Sequence, residues 1–339
     1  MPSKTAQTGI HLLFLLAIIA IILYVFEPTL FPSALAKLAA WPQLQSFKTM
    51  FISIVLEALP FMLLGVLVSA VIQVFVSEET IARLVPKNPL AGLVFGCLLG
   101  MVFPLCECGV IPVIRRLLAK GMPLYIGIVF IVVGPIVNPV VWFATYAAFR
   151  SNPEMVYGRL VVALAVGFAI GLAVYLLFRS NQLRTSKATL YGEEAVAPVK
   201  PVGASNRLLA IMEHAGSEFF DMGKYLLFGC AIAALMQTTI PRAGLIEVGQ
   251  APLGSHLFMM AFAFILSICS TSDAFVAKSF FTTFSSGSLL TFLVFGPMLD
   301  MKSLLMLLTT FRARFVLVLA VMIVVFVFGG VSLYTYFVL

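Results

Sequence analysis

A carboxylate between two thiols, Cys106-Glu107-Cys108, sits in the stretch FPLCECGVIP (103 to 112), with long apolar sequence on both sides. Thiolates favour soft acceptors such as Cu(I), Zn(II) and thiophilic metalloids. On a regular helix, side chains at i and i+2 face different directions, so these two sulfurs can grip one ion only from a turn. A second polar cluster, CSTSD (269 to 273), supplies Cys269, Thr271, Ser272 and Asp273. Cys106, Cys108 and Cys269 therefore form the candidate metal or metalloid set. With Glu107, Thr271, Ser272 and Asp273 they are also the first candidates for substrate binding. Cys97 and Cys230 read instead as small buried hydrophobes. The three histidines, His11, His214 and His256, show no spacing suited to a metal.

Carboxylates are costly inside hydrocarbon, ~2.5 to 3.5 kcal/mol for Asp at a helix centre, and those that occur there default to a functional reading. Glu57, Glu107, Asp221, Asp273 and Asp300 all fall in apolar segments. Glu107 and Asp273 have no charged neighbour in sequence and are candidate proton carriers for coupling, with Glu57 and Asp221 in the same set. Lys224 stands three residues after Asp221 and Lys302 two after Asp300, so simple neutralisation competes with a transport role there. Asn138 and Asp300, which follow the related stretches GPIVN and GPMLD, could offer oxygens to a substrate. Asn138 could equally cap a broken helix.

These groups need elements that hold them at depth. The chain is 62% hydrophobic and 10% charged. It carries several runs of the ~20 apolar residues that span a bilayer. Full spans are expected at roughly 9 to 26, 51 to 76, 122 to 149, 159 to 178, 219 to 239, 288 to 310 and 313 to 337. The first reads as a retained anchor rather than a signal peptide, because its apolar run is long and lacks a small-residue cleavage site. Residues 89 to 120 and 252 to 285 are each interrupted by a polar cluster. They are expected to be re-entrant or broken helical hairpins, with nine full spans as the alternative. Pro104, Gly109, Pro112, Gly134, Pro135, Gly296 and Pro297 are the expected breaks, since proline removes a backbone donor and glycine permits a tight turn. Irregular backbone at that depth must be buried in protein or line a wet cavity.

The two halves resemble each other. EALPFMLLGVLVSAVIQ (57 to 73) aligns without gaps to DMGKYLLFGCAIAALMQ (221 to 237) at an offset of 164. Cys106 meets Cys269 at offset 163, and GPIVNP (134 to 139) meets GPMLDM (296 to 301) at 162. Landmarks recurring in one order indicate an internal duplication. Basic residues flank the first hairpin on both sides, and the positive-inside rule places both flanks in the cytoplasm; the second hairpin, with a nearly balanced flank, then enters from outside. The repeats are thus expected to be inverted. With a cytoplasmic amino terminus, 13 of the 21 Lys and Arg fall inside and 6 outside. The expected organisation is an anchor span and loop (1 to 47), a first repeat (48 to 178), a cytoplasmic linker (179 to 207) and a second repeat (208 to 339). Inverted repeats with interrupted helices are the pattern of secondary transporters that bind substrate at the midplane.

The stretches FPLCECGVIPVIRRLLAKGMPL, GPIVNPV, SICSTSDAFVAKSF and GPMLDMKSLLML resemble the predicted permeases that include the ArsP-type organoarsenical efflux proteins. The resemblance covers about residues 48 to 338. It implies a multi-pass permease of a prokaryotic plasma membrane, whose best-studied branch exports trivalent organoarsenicals. Other branches accompany metal homeostasis or act with a second membrane subunit. A trivalent arsenical with one organic group has two free valences, which suits transient contact with two thiols.

The expected function is therefore a secondary transporter, not an enzyme. It exports a small thiophilic or organic solute between the tips at 104 to 112 and 267 to 275, and needs no cofactor. The competing readings are a membrane subunit inactive alone and a thiol redox enzyme working through Cys106 and Cys108. The expected partners are the lipid bilayer, the small-molecule or metalloid substrate, and a second membrane subunit or a second copy of the chain. No GxxxxGK[ST] motif is present for ATP binding. The net charge of +7 is spread between apolar segments as orientation signals, which argues against a nucleic-acid partner.

Overall fold

The computed structural model describes residues 42–86, 88–103, 105–178, 182–183, 204–239, 252–281 and 283–338. The expected span at 9 to 26 and most of the linker lie outside the described residues, as does Pro104. The chain divides into two compact units, Met1–Met50 and Phe51–Leu339. The site lies wholly in the second.

Among the described residues thirteen helices follow in order: α1 (Pro42–Phe75), α2 (Glu78–Leu84), α3 (Pro89–Val102), α4 (Glu107–Ala119), α5 (Leu124–Val137), α6 (Pro139–Ala148), α7 (Pro153–Leu177), α8 (Ala204–Thr239), α9 (Pro252–Leu266), α10 (Asp273–Ser279), α11 (Ser286–Met298), α12 (Met301–Thr310) and α13 (Ala313–Val338). Among the described residues the only bridge pairing is an isolated one, Leu183 with Phe311. Among the described residues six stretches are long and apolar enough to cross a membrane: Leu44–Phe75, Leu124–Ala148, Pro153–Leu177, His214–Thr239, Ser286–Thr310 and Ala313–Val338. They coincide with the six expected spans that fall on described residues. The chain is an all-helical, multi-pass membrane protein.

One order of elements occurs twice. A long helix (α1, α8) leads to an interrupted pair (α3 and α4, α9 and α10). A span broken in two (α5 and α6, α11 and α12) and a long closing helix (α7, α13) follow. The arms of each interrupted pair rest on the broken span that follows: α3 and α4 both pack on α5, and α9 and α10 both pack on α11. The two halves then cross over, for α4 packs on α12 and α10 packs on α6.

Helices α5 and α11 are apolar all round, which is the pattern of a helix enclosed by others rather than facing solvent or lipid on one side. Every residue from Tyr125 to Val137 is buried. The spans containing α5 and α11 are 83% and 78% buried, against 28% to 39% for the other four, so these two form the centre.

Six of the seven expected break residues lie inside helices, and Pro104 lies outside the described residues. Pro112 and Gly109 lie inside α4, Gly134 and Pro135 inside α5, and Gly296 and Pro297 inside α11. A proline inside a helix forfeits one backbone bond and can bend the helix without stopping it. Among the described residues the interruptions fall at Phe103, Leu105 and Cys106, at Ser267 to Ser272, at Asn138, and at Leu299 and Asp300. The glycines serve close approach instead. A Cβ on Gly65 of α1 would lie 2.3 Å from the Gly109 carbonyl oxygen, and one on Gly100 of α3 would lie 2.4 Å from the Gly134 Cα. Small residues let backbones touch where the bilayer supplies no hydrophobic drive for helices to associate.

Candidate functional site

Asn138 and Asp300 occupy matching positions and do matching work. Each is the N-cap of the second half of a broken span, where free backbone N–H groups need acceptors. The Val140 N–H donates to Asn138 Oδ1 at 2.9 Å, and the Ser303 N–H donates to Asp300 Oδ1 at 2.6 Å. The Ser303 hydroxyl accepts the Asp300 N–H at 3.0 Å, closing a capping box. The other Asp300 oxygen accepts from the Ser267 hydroxyl at 2.9 Å and faces the Lys302 ammonium at 3.6 Å. Both side chains are therefore engaged as caps, and the expected neutralising pair of Asp300 with Lys302 is present and buried.

Ser267 lies at the break after α9 with φ of 50°, a left-handed conformation that a residue with a Cβ adopts at a cost. Its hydroxyl offsets that cost by donating to Asp300 and accepting the Lys302 N–H at 3.3 Å. The tip of the second half is thereby tied to the cap of α12.

Asp273 opens α10 and is 3% exposed. Its partner is distant in sequence: Arg159 Nη2 donates to Asp273 Oδ2 at 2.7 Å. The same guanidinium donates to the Thr145 hydroxyl at 2.8 Å and to the Ser270 carbonyl at 3.2 Å. Arg159 thus pins the second tip to α6 and α7. Asp273 Oδ1 and Arg159 Nε remain buried without a hydrogen-bond partner among the described residues. Ser272 donates to Glu57 Oε1 of α1 at 2.7 Å, so a carboxylate of the first half touches the tip of the second.

The first tip is as deeply enclosed. Cys106, Glu107 and Cys108 are 6%, 4% and 1% exposed. Glu107 stands in the first turn of α4, where the helix dipole favours a negative charge. It lies within electrostatic reach of Lys302, Asp300 and Asp273, and its Oε2 has no hydrogen-bond partner among the described residues. The Lys302 ammonium also acts on Cys108 and Cys230, and Glu107 acts on Cys269. The two tips, the α12 cap and one cysteine of α8 therefore share one buried electrostatic neighbourhood.

Not every expected residue joins it. All five cysteines are free and buried. Among the described residues no group of three His, Cys, Asp or Glu side chains is arranged to hold a metal ion, so the expected set of Cys106, Cys108 and Cys269 does not form one. The Thr271 hydroxyl donates to Cys269 Sγ at 3.6 Å, which occupies that thiol locally. Asp221 is exposed and paired with Lys224 at 3.0 Å, the neutralising arrangement weighed above.

Two buried charges escaped the sequence reading, and for the same reason. Arg159 is the first residue of the span expected at 159 to 178, which in fact begins at Pro153, and Glu218 is one residue before the span expected at 219 to 239, which begins by His214. Glu218 Oε2 accepts from the Ser69 hydroxyl at 2.8 Å and lies 3.5 Å from Arg116 Nε of α4. Lys120 at the end of α4 donates to the carbonyls of Ile72 and Gln73 at 2.8 and 2.9 Å, and to that of Val76, covering the open end of α1. Asn152 before Pro153 was the available signal, a helix start six residues ahead of the charge.

Over residues 43–336 the sequence matches the family model ArsP_1, described as a predicted permease. The chain belongs to this permease family. It is 48% identical over 283 residues to the UPF0718 protein YcgR of Bacillus subtilis (strain 168), covering 83% of this chain and 94% of the relative. It is 37% identical over 267 residues to a Streptococcus mutans serotype c (strain ATCC 700610 / UA159) protein named "Putative two-component membrane permease complex subunit", covering 79% of this chain and 87% of the relative. No solved structure matches the chain.

Proposed function

We propose that the chain is a secondary permease whose substrate crosses between the tips preceding α4 and α10. The observation that carries this reading is the crossed packing of the tips. Each tip helix rests on the second half of the opposite broken span, and Glu107, Asp273, Asp300 and Lys302 share one buried neighbourhood. Paired broken helices around a polar centre are the arrangement by which transporters expose one site to either side in turn. The recurrence of elements supports a duplication, and the distribution of basic residues around the two tips supports its inversion and a cytoplasmic amino terminus.

The substrate we propose is a small thiophilic or organic solute, with trivalent organoarsenicals the first class to test. Without a three-residue ligand set among the described residues, recognition rests on transient contact with Cys106 and Cys108, Cys269 and Ser272 rather than on chelation. Weak contact suits a site that must release its cargo. Glu107 and Asp273 are proposed to carry coupling.

The test is uptake into everted vesicles of a panel of trivalent arsenicals, Zn(II), Cu(I) and anions, with wild type and Cys106→Ser compared. Proton-driven uptake of an arsenical, weakened at least tenfold by the substitution, supports the reading; no movement of any member of the panel removes it. A second reading, that the chain works as a subunit of a two-component complex, is favoured by the printed name of the streptococcal relative. It predicts no transport by the reconstituted chain alone and recovery when a second membrane protein is supplied.

A further inference from the structure

Helix α4 leaves the first tip at Glu107, and its neighbours hold it unequally. It packs broadly on α5 and α12 and only lightly on α8. The inner end of the seam between α4 and α8 lies at Cys108, which is within electrostatic reach of Cys230 on α8. Its outer end lies at Arg116, whose side chain is 25% exposed and meets Glu218 at 3.5 Å. About 12 Å of α4 separate Cys108 from Arg116, and about 18 Å of α8 separate Cys230 from Glu218. The two helices therefore run antiparallel along the seam, with thiols at one end and an ion pair at the other.

What closes the outer end is polar. Glu218 is 3% exposed. Its Oε2 accepts from the Ser69 hydroxyl at 2.8 Å and faces Arg116, while Oε1 is buried without a hydrogen-bond partner among the described residues. Apolar side chains would seal such a seam without that cost. A buried carboxylate left half-satisfied gains when water reaches it, so the closed arrangement holds a penalty that opening relieves. The attraction of Arg116 opposes the relief, since parting a buried pair strands its charge. A contact that must both hold and yield needs these two effects in opposition.

The second half carries nothing of the kind. At the offsets of 164 and 163 residues that align the halves, Ile54 stands for Glu218, Ala233 for Ser69 and Ser279 for Arg116. Ile54 and Ala233 are buried and apolar, and the Ser279 hydroxyl donates to the Val276 carbonyl at 2.7 Å. Packing the related helices thus does not call for these polar groups. They belong to one side of the molecule only.

We propose that Arg116 and Glu218, steadied by Ser69, are the gate of the passage on the α4 side. The pair holds the seam shut, and its parting admits water to Cys108 and Cys230. The inference rests on the proposed transport between the tips and names the groups that close one of its two mouths.

The test uses the full chain in membrane vesicles of both orientations. A small membrane-impermeant thiol reagent is applied, and labelling is read cysteine by cysteine by mass spectrometry. In the wild-type chain Cys108 and Cys230, 1% and 0% exposed, are expected to stay protected. Arg116→Glu sets two carboxylates face to face and is expected to raise labelling of both thiols at least tenfold, from one face of the membrane. Cys97 of α3, which packs on α5 and α7, is expected to stay protected and so reports an intact fold. Arg116→Gln removes the charge without adding repulsion and is expected to give the same pattern at smaller size. Combining Arg116→Glu with Glu218→Arg is expected to restore protection. Unchanged labelling of Cys108 and Cys230 in Arg116→Glu overturns the proposal. So does an equal rise at Cys97 in both Arg116 variants, equal labelling from the two faces, or failure of the exchanged pair to restore protection. None of these readouts needs a transported solute. A gated chain that moves no member of the substrate panel therefore counts against the proposed function and not against the gate.

Discussion

Removing the Arg159 guanidinium, by Arg159→Met, tests whether its bond to Asp273 holds the second tip in place. Asp273 would keep its burial at 3% exposure and lose its 2.7 Å partner, with Oδ1 already unpartnered among the described residues. The Thr145 hydroxyl and the Ser270 carbonyl would lose a donor as well. Breaking a buried pair from one side costs about 3 to 5 kcal/mol, because a charge is stranded, whereas removing both charges is often close to neutral. Arg159→Met with Asp273→Asn should therefore recover at least half of the loss. At the lower end of about 2 to 4 °C per kcal/mol, the single variant should melt roughly 6 to 10 °C below wild type. Thermal unfolding of the purified protein, followed by intrinsic fluorescence in one detergent, measures all three. A single variant within about 1 kcal/mol of wild type would refute the reasoning. A double variant no more stable than the single would also do so, since stranded charge could not then be the cause.

Further predictions follow from other contacts. Gly65→Ala places a Cβ 2.3 Å from the Gly109 carbonyl oxygen; overpacking of this kind costs about 1 to 3 kcal/mol, so its melting temperature should fall, while Gly329→Ala, inside α13 with no atom within 4 Å, should not lower it. Ser267→Ala removes a hydroxyl that donates to Asp300, a loss of about 1.5 to 3 kcal/mol for a bond to a charged group, which chemical denaturation of the detergent-solubilised protein should register. All five thiols are buried, so a maleimide reagent should label fewer than one per folded chain and all five after denaturation. Lys120→Met uncovers the carbonyls of Ile72 and Gln73 at the end of α1; hydrogen exchange at residues 70–76 should speed up by at least tenfold, while exchange in α11 stays as it was.

Much of the molecule was legible because bilayer physics writes it into composition. A span must be long and apolar, so the six membrane-crossing stretches among the described residues could be read directly. The two polar clusters were legible because each breaks such a run, and the pairs Asp221 with Lys224 and Asp300 with Lys302 because their members are close in sequence. What failed was exact position. Glycine and proline marked the neighbourhood of each break, but the breaks settled where a capping side chain, Asn138 or Asp300, could serve the next helix. A glycine has two uses, as a turn or as a place of close approach. The sequence alone does not separate them at Gly109 or Gly134, which turn out to meet Phe61 and Gly65 in one case and Gly100 in the other.

By itself the sequence determined that this is an all-helical membrane protein of the permease class, with two related polar interruptions carrying thiols and carboxylates. Only the tertiary structure decided which of those groups are spent and which remain unpaired. Arg159 finds Asp273 across 114 positions and Ser69 finds Glu218 across 149, and no local periodicity reports a partner at such a distance. The physical reason is that charges buried in hydrocarbon are satisfied by whatever the packing brings within reach. Length and apolarity place a helix in the membrane; the crossing of the two halves places its charges beside one another.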